Sequence, residues 1–174
     1  MRLGLANNRG MRLFLALWPD DAVRAQLAAA QRRWAWPARA ACVPPGRLHL
    51  TLHFLGDVGE GAARALMASL PPLADPFTLR LERVALWPQG VAVLEPAVLP
   101  AGLAALHAEL AALLRAQGLR VESRPFRPHV TLARSAQGAL PPAGSPPVQW
   151  RVGAYALVHS IAGPPLRYVP IARS

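Results

Sequence analysis

Two short segments of the chain are close copies of each other: His49-Leu50-Thr51-Leu52 and His129-Val130-Thr131-Leu132. Each sets a histidine and a threonine two residues apart inside an apolar run. On a strand, residues two apart point to the same face. Each segment therefore offers an imidazole and a hydroxyl side by side. The copies lie 80 residues apart in a chain of 174. Two such platforms facing each other supply a general base, a general acid and two hydroxyl donors. An imidazole with a pKa near 6.5 has both protonation states populated near neutrality. One can take a proton from an attacking water while the other gives one to a leaving oxygen. Each well-placed transfer contributes roughly 10²–10⁴-fold in rate. The threonine hydroxyls can donate to non-bridging phosphate oxygens, where negative charge gathers in the transition state. This is equipment for breaking a phosphate ester without a metal.

Period two sets His49, Thr51 and His53 on one face of the first segment, with Leu48, Leu50, Leu52 and Phe54 packed on the other. In the second, Arg127, His129 and Thr131 share a face while Val130 and Leu132 point inward. Arg127 or Arg134 can add charge-assisted bonds to a phosphate. A metal site fails on geometry. His49 and His53 sit roughly 13 Å apart on a strand, too far to share an ion, and no carboxylate flanks either motif histidine. Serine and cysteine nucleophile chemistry lacks its motifs, and no glycine-rich phosphate loop is present. His107, on a leucine-rich helix, and His159 read as structural. Trp34 and Trp36 are candidates to stack a nucleobase. Trp18, Trp87 and Trp150 read as packing, and Cys42 as a small buried apolar residue.

The elements that must position these groups follow from periodicity and turn residues. Residues 11–18 read as a buried strand. A helix follows Pro19-Asp20-Asp21, with an aspartate as N-cap, and a loop covers 35–46. The first motif strand spans 47–55 and is closed by Gly56. A short helix covers 60–70. Residues 77–95 read as a hairpin around Pro88-Gln89-Gly90. The helix 101–117 carries a stripe of Leu103, Leu106, Leu110, Leu113 and Leu114, with Gly118 past its end. The second motif strand covers 126–134, a Pro/Gly/Ser loop 136–147, and two strands fit 149–160 and 166–172. This order predicts an α+β protein with mostly antiparallel sheets. Each motif strand follows a helix, the pattern of a diverged duplication.

Composition narrows the function further. Hydrophobic residues make up 53% of the chain, ample for a core, and no apolar run approaches a membrane span. The expected setting is the cytoplasm. All nineteen basic residues are arginine, and the net charge is +10. That charge fits a polyanionic partner, though abundant Arg, Ala and Pro together are also what a GC-rich genome writes. The absence of lysine excludes a lysyl-adenylate, a lysine Schiff base and a P-loop lysine. One cysteine excludes an intramolecular disulfide. Met11-Arg12-Leu13 repeats Met1-Arg2-Leu3, so residues 1–10 are expected to be a flexible extension and 11–174 a single bilobal domain.

The segments Pro44-Pro45-Gly46-Arg47-Leu48-His49-Leu50-Thr51-Leu52-His53-Phe54-Leu55-Gly56 and Arg124-Pro125-Phe126-Arg127-Pro128-His129-Val130-Thr131-Leu132-Ala133-Arg134 resemble the paired signatures of the 2H phosphoesterase superfamily. Within it the chain most resembles the RNA 2′,3′-cyclic phosphodiesterases, the 2′-5′ RNA ligase-like group, from residue 11 to about 172. The resemblance implies a bilobal α+β fold, with two antiparallel sheets forming a V-shaped cleft and helices outside. It implies metal-independent hydrolysis of a 2′,3′-cyclic phosphate RNA end, tRNA-derived ends among them, to a 2′-phosphate. A weak reverse 2′-5′ ligation, no cofactor and a monomer also follow from it. By the same analogy His49 is the proton donor to the leaving O3′, His129 is the water-activating base, and Thr51 and Thr131 bind the phosphate. The near-symmetric motifs leave the order of acid and base open. A non-catalytic nucleotide- or RNA-end-binding module is the rival reading. A phosphodiesterase for small cyclic nucleotides or 2′-5′-linked oligonucleotides is another.

Overall fold

The computed structural model describes residues 10–174; apart from Gly10, the segment expected to be a flexible extension lies outside them. Strand β1 (Met11–Leu17) is buried from Leu13 to Leu17. Helix α1 (Asp21–Arg32) starts where Asp20 accepts the Val23 N–H at 2.8 Å, a cap that contributes about 1 kcal/mol. It packs Val23, Leu27, Ala28 and Ala30 inward. Its buried Gln31 donates to the carbonyls of Val43 and Leu132 at 2.8 and 2.7 Å, which ties the helix to the second motif. The expected loop 35–46 contains a two-residue strand, β2 (Ala41–Cys42), before the 3₁₀ turn Pro45–Arg47. Then come β3 (Leu50–Val58), α2 (Glu60–Ser69), β4 (Phe77–Leu81), β5 (Arg83–Trp87) and β6 (Val91–Glu95). Helix α3 (Ala101–Ala116) ends in a Schellman motif. Gly118, at φ +67°, donates to Arg115 O, and Leu119 donates to Leu114 O. Strands β7 (Val130–Arg134), β8 (Val148–Val152), β9 (Ala156–Ile161) and β10 (Arg167–Arg173) complete the described elements.

All of the strand pairs are antiparallel, as expected of this α+β chain. The larger sheet runs β10-β9-β1-β3-β7-β6-β5, with β2 also on β7, and β4 pairs with β8 in a second sheet. The larger sheet is nearly two sheets: β3 and β7 meet only at Leu50↔Val130. Those two side chains are fully buried in the core they share with the leucines of α3. Each fully buried leucine contributes about 2 kcal/mol, so the joint between the motifs is apolar and rigid.

Four expectations are corrected. The hairpin 77–95 is broken at Glu82, whose N–H bonds Glu95 O. Leu79 and Leu81 turn inward against β8, so only β5 and β6 form the hairpin. The strand 149–160 is also two. Around Tyr155, paired to Ser174 in both directions, the chain leaves the small sheet for the large one. The motif strands begin later than 47 and 126, just after each histidine. The prolines upstream have no N–H to give a ladder. Finally, His53 and Phe54 exchange faces. The β1–β3 register runs Ala16↔Thr51, Leu15↔His53, Phe14↔Phe54 and Leu13↔Gly56, so Leu52 and Leu55 are extra residues on β3. A bulge breaks period two. His53 therefore points inward at 2% exposure, and Phe54 stands on the open face.

Candidate active site

The paired motifs meet at the joint of the larger sheet. Leu50 and Val130 point into the core, so their neighbours point to the other side. The antiparallel register then sets His49 toward Thr131 and Thr51 toward His129. All four line one cleft of about 830 Å³. The two imidazoles are held by the same device. His49 Nδ1 bonds the carbonyl of Arg47 at 2.6 Å, and His129 Nδ1 bonds that of Arg127 at 2.7 Å. A carbonyl only accepts, so each Nδ1 carries the proton, and each Nε2 is the nitrogen left for chemistry. In the neutral ring, His49 Nε2 accepts from the Thr51 hydroxyl at 3.1 Å.

The surroundings of the two rings differ. His49 is boxed by Phe14, Trp18 and Tyr168, with ring centroids 5.0, 5.7 and 5.4 Å away. Burial there pushes its pKa down to about 4, the Arg47 carbonyl opposes this, and the charges of His129 and Arg134 add to it. His129 is also depressed by burial. The Arg127 carbonyl and the Glu95 carboxylate pull it back up, and Arg127 and Arg134 push it down. Both rings are thus set toward the neutral form, His49 further.

The cleft is built for an anion. Arg12, Arg47, Arg124 and Arg134 line it, and no carboxylate does among the described residues. Arg124 is tied to Glu122 at 2.8 Å, outside the lining. Arg134, expected from sequence as a phosphate contact, is on the cleft wall. Arg127 is not: it bonds Glu95 and lies over Trp87. Among the described residues, no group of three or more His, Cys, Asp or Glu side chains is arranged to hold a metal ion.

A family model described as the 2′-5′ RNA ligase superfamily matches residues 19–163. The chain belongs to that superfamily. A Thermus thermophilus RNA 2′,3′-cyclic phosphodiesterase is 36% identical over 170 residues, spanning 86% of this chain and 82% of that protein. An Escherichia coli protein of the same name is 35% identical over 141 residues, 76% of this chain and 78% of its own. Among solved structures, E. coli LigT complexed with 3′-AMP superposes with a TM-score of 0.77 at 30% identity. The match covers 95% of this chain and 97% of that one.

Several cleft residues of this superfamily member escape a motif-based reading of its sequence. Arg12 and Phe14 alternate with the buried Leu13 and Leu15 on β1. That period-two pattern was available in the sequence, but the segment's overall apolarity masks it. Tyr168 comes from β10 and carries no local sign of its role. Trp18 and Trp87, expected only to pack, do so against His49 and His129 themselves. Trp34 and Trp36 stack on each other at 4.9 Å and do not line the cleft. Cys42, expected to be buried, is exposed at the cleft wall because β2 is a strip at the edge of β7.

Proposed function

We propose that this chain hydrolyses RNA ends bearing a 2′,3′-cyclic phosphate to 2′-phosphates by acid–base catalysis between His49 and His129. The observation that carries the reading is the convergence of two His-Thr pairs on one arginine-lined cleft, each imidazole clamped at Nδ1 with Nε2 left for chemistry. His129 Nε2 takes a proton from water as its oxygen bonds phosphorus. The P–O3′ bond breaks, and His49 Nε2–H protonates the departing O3′. Thr51, Thr131 and Arg134 hold the non-bridging oxygens. With a 5′-hydroxyl RNA end in place of water as the nucleophile, the same steps in the same direction form a 2′-5′ linkage. The named activity of relatives matching three quarters or more of the chain supports this substrate class. So does the 3′-AMP bound by a structural neighbour. No helix among the described residues is long and apolar enough to cross a membrane; we place the enzyme in the cytoplasm as a monomer.

The test is turnover of an oligonucleotide ending in a 2′,3′-cyclic phosphate, with the product phosphate located on O2′ or O3′. His49→Ala and His129→Ala should each lose about 10²–10⁴-fold with unchanged circular dichroism, and EDTA should change nothing. Near-normal turnover in either variant refutes the paired-histidine mechanism. Nucleotide binding without any hydrolysis would make this a binding module instead.

A further inference from the structure

We propose that Arg127 is a positioning residue that holds the His129 imidazole in its working orientation, and not a ligand of the substrate phosphate. This rests on the reading of His129 as a catalytic residue. Arg127 grips His129 from two directions. Its backbone carbonyl fixes Nδ1 at 2.7 Å. Its side chain works through a neighbour: the guanidinium lies 4.2 Å above the Trp87 ring, and that ring packs 4.4 Å from the imidazole. The guanidinium is itself held. Nε and one terminal nitrogen bond the two carboxylate oxygens of buried Glu95 at 2.7 and 3.2 Å. A bidentate pair of this kind fixes direction as well as distance. One edge of the guanidinium is taken by Glu95 and one face by Trp87, and it is not on the cleft wall.

The sheet explains why these groups meet. Leu94 pairs with Val130, so the next residue on β6, Glu95, comes alongside His129. Trp87 closes β5 on the other arm of the same hairpin. The hairpin thus supplies a carboxylate and an aromatic plate to the irregular segment before β7, which has no ladder of its own to hold it. The charged groups facing His129 are Glu95 from β6, Arg127 from its own segment and Arg134 from β7, with His49 across the cleft.

Arg127→Met keeps the bulk of the side chain and the backbone carbonyl but removes the fork. It should lower kcat about 10–100-fold on a cyclic-phosphate oligonucleotide, the scale of a small misplacement of a reacting group, while KM stays within about twofold. Arg127→Lys should fail to restore kcat, because an ammonium cannot grip a carboxylate by two parallel bonds and stack flat on an indole. Glu95→Gln should move the His129 midpoint, read by NMR of the free protein, to lower pH, since the carboxylate beside it is gone. A rise in KM at preserved kcat would make Arg127 a substrate ligand and overturn the inference. So would unchanged kcat in Arg127→Met, or an unmoved His129 midpoint in Glu95→Gln. His129→Ala runs alongside: its full activity refutes the catalytic reading itself, whereas an inactive His129→Ala beside a normal Arg127→Met refutes only the positioning role.

Discussion

The depressed pKa of His49 leads to a sharp expectation about ligand binding. At a midpoint of about 4, putting a proton on this ring at pH 7 costs about 4 kcal/mol. An imidazole in that state is a poor acid catalyst unless something at the site favours the cation. A tetrahedral anion in the cleft does so. One unit of opposite charge about 4 Å away contributes about 4 kcal/mol at an effective dielectric near 20. The two quantities cancel, so a bound monoanion should bring the His49 midpoint from about 4 to near 7, and a dianion at least that far. Sulfate is the suitable probe, because it does not itself titrate in this range. Histidine ring resonances followed by NMR from pH 3.5 to 8, with saturating sulfate and with chloride at equal ionic strength, read the shift directly. Linkage gives an independent check: sulfate affinity should fall about tenfold per pH unit between the free and bound midpoints, then level off. A His49 midpoint still below about 5 in saturating sulfate would refute the reasoning and leave His49 without a way to hold its proton.

Two further predictions concern the scaffold. His53, His107 and Phe126 form a stack with centroid distances of 4.1 and 3.9 Å, and His53 Nε2–H donates to His107 O at 2.9 Å. Burial lowers both histidine pKa values, His107 to about 4, and Arg115 adds to this. The unfolded chain binds these protons first, so the stack's contribution is complete above about pH 6.5 and is lost as pH falls toward 4. Urea midpoints should drop over that window and drop less in His107→Phe; equal acid sensitivity in the two proteins counts against the stack. Gly90 and Gly118 both have positive φ, but a Cβ on Gly90 would lie 2.5 Å from Gln137 Cδ, while Gly118 faces open space. Gly118→Ala should cost about 1–2 kcal/mol and Gly90→Ala clearly more; equal costs in chemical denaturation would show that Gln137 moves aside freely.

The legible part of this protein is the part written locally. The His-x-Thr repeats, the Asp20 cap, the leucine stripe of α3 and Gly118 after it each declare themselves within a few residues, and each is where periodicity and capping put it. What sequence reading lost depends on partners distant in the chain. The bulges in β3 exist because β1 lies beside it, and only they turn His53 inward and Phe54 outward. The break at Glu82 is invisible until β8, more than 60 residues later, claims β4. The aromatic box around His49 draws Phe14, Trp18 and Tyr168 from both ends of the described chain. No spacing rule connects them.

Near-symmetric motifs cannot say which histidine gives the proton, and the pH dependence of the rate cannot say either. A form with the proton on His49 and none on His129 titrates identically to its mirror image, so both orders produce the same bell-shaped profile. The surroundings separate them only in energy. In the free protein the proton resides more readily on His129, beside Glu95, than on His49 in its aromatic box. If His49 is the acid, the productive form is a minority that the substrate's phosphate must summon. A substrate that needs no acid decides the matter. Nitrophenolate departs from phosphorus without a proton at neutral pH, whereas a ribose O3′ does not. On a nitrophenyl diester, removal of the acid should cost little, while removal of the base should cost as much as before. With His49 as donor, His49→Ala recovers most of its lost turnover on the nitrophenyl substrate and His129→Ala does not. Recovery in His129→Ala alone reverses the assignment. Recovery in both, or in neither, means that the two imidazoles do not divide the proton transfers between them.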